Sequence, residues 1–308
     1  MAPPSKSADE RAELVERWLA HPRSWSPRPS ADGRFVHVLS NREGLPQAYT
    51  VEHAGGPLRP FWSEPERVGT VVPSPFDARV VVASDRGGNE HWELSLAGEG
   101  GSLVRRLTAT PDRIHEPGAW RDARRFLYSS NQRDVRFFDV YECDLDGEGG
   151  GRMVRQEDAL VSVVAAKGPL ALLQRANTNL DVDLFLLRGE TEHHLNPHSG
   201  EQMVFGADLV GRDVYAGTNP DREFTALVRY PESGGTPEVI RDFPGDVERI
   251  RSAPDHVRLA GTSNDHGWSE LWVYDSGSSE FANLPLAQPG VVDSVAWSRD
   301  GTELFYDL

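Results

Sequence analysis

An aspartate-containing turn recurs through this chain at a nearly constant interval, and this repeat limits the folds open to the chain. Five turns carry the aspartate: Asp32, Asp77, Asp122, Asp255 and Asp300. Steps of 45 residues separate the first three and the last two. The 133 residues between the third and fourth divide into steps of 45, 43 and 45 if Lys167 and Val210 occupy two degenerate places. A period in the forties made of short apolar runs is typical of β-propeller blades.

Each period contains four apolar runs, as a four-stranded blade requires. One run precedes the aspartate turn, a second follows it, and a third leads through a Gly-rich hairpin to a fourth. Glycine provides the positive φ that such tight hairpins need. We therefore predict an all-β propeller over residues 25–308, with six complete blades and two inner strands of a seventh in residues 294–308. Trp120 and Trp297, just before two of the turns, are predicted to pack between neighbouring blades.

The first 24 residues are predicted to form a separate helical segment. Ser7 and Glu10 have the spacing of a capping box, and apolar residues recur at helical spacing up to His21-Pro22, where the run ends. The segment has neither the apolar core nor the cleavage site of a secretory signal peptide. No apolar run in the chain approaches the ~20 residues that span a bilayer.

Composition excludes several classes of partner. With 32 Lys and Arg against 48 Asp and Glu, the net charge of -16 has the wrong sign for nucleic acid or an anionic membrane. The single cysteine, Cys143, has no partner for an intramolecular disulfide and lies in a predicted strand. A buried, reduced thiol favours a cytoplasmic location.

Several segments resemble the amino-terminal propeller of prolyl-oligopeptidase-family serine peptidases, with the closest likeness to bacterial acylaminoacyl and dipeptidyl peptidases. The resemblance covers nearly the whole chain from about Trp25. It is carried by DRGGNEHWEL at 85–94, GAW at 118–120, SSNQRD at 129–134, FFDVY at 137–141, RANTN at 175–179 and DVDL at 181–184.

In that family the propeller precedes an α/β-hydrolase domain that carries the catalytic residues. The resemblance implies that this propeller gates and orients short peptides, with the hydrolase domain as its partner. The sequence itself has no Gly-x-Ser-x-Gly nucleophile elbow, since the nearest string, at residues 277–281, has the wrong spacing. We therefore expect the hydrolase domain to be absent from this chain, and the chain alone to be inactive on peptides. The unfinished last blade leaves a strand edge for possible self-association.

Two alternatives from other classes remain open. A stand-alone TolB-like propeller would use one face as a protein-interaction module. A propeller enzyme such as a lactonase would hold a metal in its central channel. The latter should show Glu, Asn and Asp recurring at inner-strand positions, and the sequence does not show them.

Candidate binding residues lie in the connections between the second and third strands, which all emerge on one face. Four arginines recur there on an otherwise acidic molecule: Arg42, Arg86, Arg133 and Arg222. We expect this rim to hold a peptide carboxylate or the partner domain, because loops on a rigid scaffold are where binding residues collect.

No metal or cofactor is predicted. The Asp- and Asn-rich stretches at 144–149 and 177–183 both lack the ligand at the twelfth place of a calcium-binding EF-hand loop, so turn chemistry explains them better. His193, His194 and His198 lie in a predicted strand and loop, where a spacing of four does not gather imidazoles on one face as it does in a helix.

Overall fold

The regular secondary structure in the described part of the chain is almost wholly β-strand. A computed structural model describes residues 21–62 and 64–308, together with Asp9, Ala12, Glu13, Val15 and Arg17. Residues 21–62 and 64–308 contain 26 strands and one single-turn 3-10 helix, Glu99–Gly101. The five described residues before them are helical, and the rest of the helix predicted within residues 1–24 lies outside the described residues. Within the described residues, no helix is long and apolar enough to cross a membrane.

Six sheets of four strands follow one another along the chain, and we call them blades 1 to 6. Blades 1 to 3 contain β1 (Ser24–Pro29), β2 (Phe35–Ser40), β3 (Gln47–Glu52), β4 (Arg59–Pro60), β5 (Val68–Pro73), β6 (Val80–Ser84), β7 (Glu93–Ala97), β8 (Leu103–Arg106), β9 (His115–Trp120), β10 (Arg125–Asp134), β11 (Phe137–Asp144) and β12 (Arg152–Arg155). Blades 4 to 6 contain β13 (Leu160–Lys167), β14 (Leu170–Thr178), β15 (Asp181–Arg188), β16 (Thr191–His194), β17 (Val204–Val210), β18 (Asp213–Thr218), β19 (Ala226–Tyr230), β20 (Glu238–Arg241), β21 (Val247–Ser252), β22 (Arg258–Asp265), β23 (Trp268–Asp275) and β24 (Glu280–Leu284).

A seventh sheet has two strands, β25 (Val295–Trp297) and β26 (Leu304–Tyr306). In every sheet the strands lie in chain order and pair antiparallel with their neighbours. The predicted propeller with six complete blades and half of a seventh is confirmed. Lys167 and Val210 end β13 and β17, where turns with Gly168 and Gly211 at positive φ replace the aspartate turn.

The core lies between blades because the central strands are buried on both faces. In β6, Val80 and Val82 pack toward blade 1, whereas Val81 and Ala83 pack toward blade 3. This follows from the alternation of side chains along a strand. A single blade would leave both apolar faces in water, so each blade depends on its two neighbours.

The two-stranded sheet closes the ring between blade 6 and blade 1. β25 contacts both β21 and β1, and β26 contacts β1. The carboxylate of Asp307 joins the two sides, since Oδ2 accepts from the Ser26 amide at 2.8 Å and Oδ1 accepts from the Ser294 amide at 2.6 Å. Phe305 packs against the apolar cluster of blade 1. Seven sheets therefore surround a central channel lined by the first strand of each.

Aspartate turns fasten neighbouring blades together. Asp77 accepts from the backbone and side chain of Arg79, and the Arg79 guanidinium then donates to the Ala123 carbonyl in blade 3. The same guanidinium lies 5.9 Å from the ring centroid of Trp120, whose indole N–H donates to the Val72 carbonyl in blade 2 at 3.0 Å.

The same link recurs at the junction of blade 6 and the two-stranded sheet. Asp255 holds Arg258, which donates to the Gly301 carbonyl at 2.9 Å, and the Trp297 indole donates to the Arg251 carbonyl at 3.0 Å. The predicted packing of both tryptophans between blades is confirmed. The repeated aspartate therefore stabilises its own turn and also orients an arginine that donates a hydrogen bond to the next sheet.

Replacing Trp120 with Phe tests this joint. Phe lacks one ring of the indole as well as its N–H, so Trp120→Phe leaves a small cavity and removes the donor of the Val72 carbonyl, and should cost about 2–3 kcal/mol of unfolding free energy. Urea unfolding followed by circular dichroism measures the change. Trp272→Phe is the matched control, because Trp272 is buried too but its indole N–H has no hydrogen-bond partner among the described residues, so that variant should lose only the cavity contribution. Equal losses in both variants would contradict a specific role for the indole bond.

Candidate functional site

Three of the predicted rim arginines, Arg42, Arg86 and Arg222, lie in connections between second and third strands, whereas Arg133 lies in β10, one residue before its end. Three of the four are engaged within their own blades. Arg86 pairs with Glu93 at 2.9 Å, and Arg222 pairs with Asp242. Arg133 pairs with Asp139. Arg42 has no carboxylate partner within 4.0 Å in the described part of the chain, and its guanidinium lies 5.9 Å from the Tyr49 ring centroid. Binding of a peptide or a partner domain by this rim stays a prediction.

Arg133 has a structural task that the sequence did not reveal. Its guanidinium donates to both oxygens of Asp139, at 2.7 and 3.0 Å, and to the Glu157 carbonyl at 2.7 Å. Asp139 is fully buried and also accepts from the Glu157 amide at 2.8 Å. The hydrogen bonds and charge of Asp139 raise the pKa of Arg133 above its already high value, although desolvation opposes the shift. The pair ties the β10–β11 connection to the segment that leads into blade 4.

Asp139→Asn should destabilise the protein by about 2–4 kcal/mol. The amide would present N–H groups to Arg133 where two acceptor oxygens are needed, leaving buried donors unmatched. Thermal and urea unfolding measure the loss. Asp134→Asn is the matched control on the same connection, because Asp134 pairs with the exposed Arg136 and should leave the transition unchanged. A loss confined to the control would refute the structural role of Asp139.

His193, His194 and His198, which the sequence analysis did not assign to a site, lie at the outer edge of blade 4, beside a groove of about 920 Å³ between blades 4 and 5. Asp183 is the acceptor that several side chains of this edge share. One of its oxygens accepts from His194 at 2.9 Å, and the other accepts from Arg175 at 2.6 Å and Asn177 at 3.0 Å. His198 donates from one ring nitrogen to Asp181 at 2.8 Å. The carboxylates of Asp181 and Asp183 are therefore occupied by hydrogen bonds to side chains. Within the described residues, no group of three His, Cys, Asp or Glu side chains has the arrangement of a metal site.

His198 has an acceptor at each ring nitrogen, since its other nitrogen donates to the Asn196 carbonyl at 2.6 Å. Burial by itself lowers the pKa of His198. The two hydrogen bonds and the charges of Asp181 and Asp183 outweigh that effect, so the net shift of the pKa is upward. The folded protein therefore favours the imidazolium form.

Stability should depend on pH through His198. Because its folded pKa is raised, the contribution is complete below the unfolded value of about 6.5 and is lost as pH rises through the folded pKa. The difference in unfolding free energy between the wild type and His198→Gln should be larger at about pH 5.5 than at about pH 8.5. Denaturant unfolding at both pH values measures it, with His193→Gln as the neighbouring control. A difference that grew toward high pH would contradict the assignment.

The central channel is lined by a mixture of polar and small residues, which the sequence analysis did not identify. Its interior is a cavity of about 460 Å³, lined from five different first strands by Thr70, Gly118, Ser162, Ala207 and Arg251, among others. Near it lies Glu116, which accepts from the Ser162 hydroxyl at 3.0 Å. Burial raises the pKa of Glu116.

Toward the face that carries the aspartate turns, the channel widens into a second cavity of about 540 Å³, which we call the channel mouth. The channel mouth is lined by Arg28, Phe76, Trp120, Lys167, Arg251 and Trp297, among others. Arg28 and Arg251 line the channel interior as well as the mouth, so they stand where the two cavities meet. Each lies four residues before a turn aspartate, Asp32 or Asp255. This shared spacing was the signal in the sequence that could have placed both arginines at the same level of the channel.

No protein-family model and no curated protein matches this sequence. Solved structures do match. A prolyl endopeptidase superposes with a TM-score of 0.73 at 12% identity, covering 96% of this chain and 48% of its own. Prolyl oligopeptidase B from Galerina marginata, bound to a 35-residue substrate, gives 0.69 at 15% identity, covering 97% and 49%. The chain thus spans about half the length of these peptidases.

A TolB-like protein from Agrobacterium tumefaciens also matches, with a TM-score of 0.51 at 18% identity, and here the match covers 93% of this chain and 91% of the other. At such identities these likenesses establish the β-propeller fold alone. The chain is similar in fold both to prolyl oligopeptidase propellers and to TolB-like propellers.

Proposed function

We propose that this chain is the substrate-gating propeller of a prolyl-oligopeptidase-like serine peptidase that hydrolyses short peptides. The observation that carries the proposal is the closed ring around a channel with an interior of about 460 Å³. A channel of this volume accommodates a few residues of extended chain and excludes a folded domain. Support also comes from the superposition of nearly the whole chain on about half of a prolyl endopeptidase.

In this proposal the propeller does no chemistry. An α/β-hydrolase domain would be its partner and would supply the serine nucleophile, its histidine base and the oxyanion hole. The propeller would limit access by size and orient the peptide. We place the protein in the cytoplasm, because Cys143 is buried and unpaired and burial raises its pKa, which suits a thiol that remains reduced.

A stand-alone TolB-like interaction module is the second candidate. It is favoured by the match to the TolB-like protein, which covers nearly all of both chains. In that case a folded protein would bind one face of the ring, and the channel would have no part in substrate entry. Narrowing the channel separates the two candidates.

Thr70→Trp should obstruct the channel, because Thr70 lines its interior on β5 and the indole is far larger than the hydroxyl-bearing side chain it replaces. In the enzyme that carries this propeller, we expect kcat/KM for an eight-residue peptide to fall roughly tenfold, a barrier increase of about 1.4 kcal/mol. Hydrolysis of a single-residue anilide should change little, since so small a substrate passes more easily.

Val239→Trp is the matched control. It adds the same indole at an exposed position on β20, at the outer edge of blade 5. Steady-state kinetics on both substrates measure the effect. Unchanged hydrolysis of the long peptide by Thr70→Trp would contradict entry through the channel and favour the interaction module.

A further inference from the structure

Two arginines face the channel without a carboxylate to pair with. Arg28 donates to the Pro27 carbonyl at 3.1 Å, and Arg251 donates to the Ile250 carbonyl at 3.2 Å. Among the residues that the structure describes, neither has a carboxylate oxygen within 4.0 Å. On this acidic molecule most arginines do form ion pairs, so two unpaired guanidinium groups are distinctive at the junction of the channel interior and the channel mouth, which we call the constriction.

Other cations surround the same place. Lys167 and Arg299 also line the channel mouth, and in the described part of the chain neither forms an ion pair. Arg121 lines it too, but its charge is taken up by Glu142. The mouth therefore has an excess of positive charge on a protein with a net charge of -16.

Two carboxylates near these cations, Asp208 and Asp307, accept hydrogen bonds from other groups. Asp208 accepts from the Ser252 amide at 2.8 Å and hydroxyl at 3.0 Å, and its other oxygen accepts from the Leu209 amide at 2.8 Å. Asp307 is held by Ser26 and Ser294 at the ring closure. Neither Asp208 nor Asp307 forms an ion pair with Arg28 or Arg251.

This arrangement is costly in the free protein. Burial is the main cause that lowers the pKa of Arg28 to about 10; the charge of Arg251 lowers it further, and Asp307 opposes the shift. Arg28 is half-buried and Arg251 is exposed, so the repulsion between their like charges is screened less than in water because one partner is partly dehydrated. An anion between them would remove the repulsion and give both guanidinium groups an acceptor.

The walls of the mouth indicate what kind of anion fits. Trp120, Trp297, Phe76, Leu209 and Val295 provide apolar surface beside the cations. A ligand with an acidic group and an apolar or amide body meets both surfaces, whereas a small inorganic anion meets only the cations. A peptide carboxylate has this combination.

We propose that the channel mouth is a carboxylate-binding site for short acidic peptides, with Arg28 and Arg251 as the two guanidinium groups that hold the carboxylate. The choice of a peptide as the source of the carboxylate rests on the proposed function; the anion site itself rests on the geometry of the ring. It would favour peptides with acidic side chains or a free carboxyl terminus at the constriction.

Calorimetric titration of the isolated chain with tri-glutamate tests the proposal. Arg28→Gln and Arg251→Gln should each weaken binding roughly 10- to 100-fold, as the loss of a charge-assisted bidentate contact does. Arg188→Gln is the matched control: it removes the same charge at an exposed position of β15 that pairs with Glu232, away from the channel, and should leave binding unchanged. Tri-glutamine with an amidated carboxyl terminus should not bind.

Thermal unfolding of the free variants gives a second readout. Arg251→Gln should raise the melting temperature of the ligand-free protein, because it removes the repulsion at the constriction, whereas Arg188→Gln should not raise it. Failure of tri-glutamate to bind, equal weakening by Arg188→Gln, or binding of inorganic phosphate as tight as that of tri-glutamate would overturn the proposal. The two proposals can fail separately. If tri-glutamate binds but Thr70→Trp leaves hydrolysis of long peptides unchanged, the carboxylate site is retained and the gating function is rejected.

Discussion

The structure depends on the packing of each blade against its two neighbours. Central strands such as β6 bury both faces, so the apolar surface that stabilises the fold exists only when blades are side by side. Burial of this surface is worth about 25 cal/mol per Å² and dominates the energetics. It is not directional, however, and it does not by itself set the register of one blade on the next. The hydrogen bonds of Arg79 and Trp120 to backbone carbonyls of the adjacent blade supply that direction.

Ring closure has consequences for the channel. The two-stranded sheet stands between blade 6 and blade 1, and Asp307 bonds it to the first strand of blade 1. Arg28, Ala296 and Arg251 then occupy equivalent positions on three adjacent first strands, each four residues before a turn aspartate. Because the middle residue is a small alanine, the two guanidinium groups have room to approach the same space. The mechanical closure of the ring and the charge of the channel thus come from the same three strands.

Much of the fold could be predicted from the sequence because the repeat depends on hydrogen bonds made within each turn, by residues close together in the chain. Where the turn aspartate is present, its carboxylate accepts a hydrogen bond from the amide two residues on, as Asp32, Asp122 and Asp300 show. Even the degenerate repeats at Lys167 and Val210 were placed by spacing alone. The role of the rim arginines stays a prediction, and the sequence analysis did not foresee the partners that three of them have within their own blades. Arg133 meets Asp139 only because β10 and β11 pair in one register, which composition does not encode.

The channel arginines escaped sequence analysis for a related reason. Arg28 and Arg251 lie 223 positions apart and become neighbours only when blade 6 meets blade 1 through the closing sheet. Within their own strands each looks like an ordinary polar position. A search of the aligned repeats for residues at one fixed distance before the turn aspartate would have found both.

The separation of charge in this molecule also bears on what it can bind. An acidic exterior repels polyanions at long range, and screening confines that field to about 10 Å at ordinary ionic strength. Arg28 at the channel mouth is half-buried, which disfavours contact with the phosphates of a stiff nucleic acid backbone, and the exclusion of nucleic acid that the net charge indicates stays a prediction. A short flexible anion can enter the channel. Inside it, water screens the attraction between the anion and an arginine less than in bulk solvent, so the contact is stronger. Size and charge therefore act in sequence: the ring admits only slender ligands, and the constriction then discriminates among them by their carboxylates.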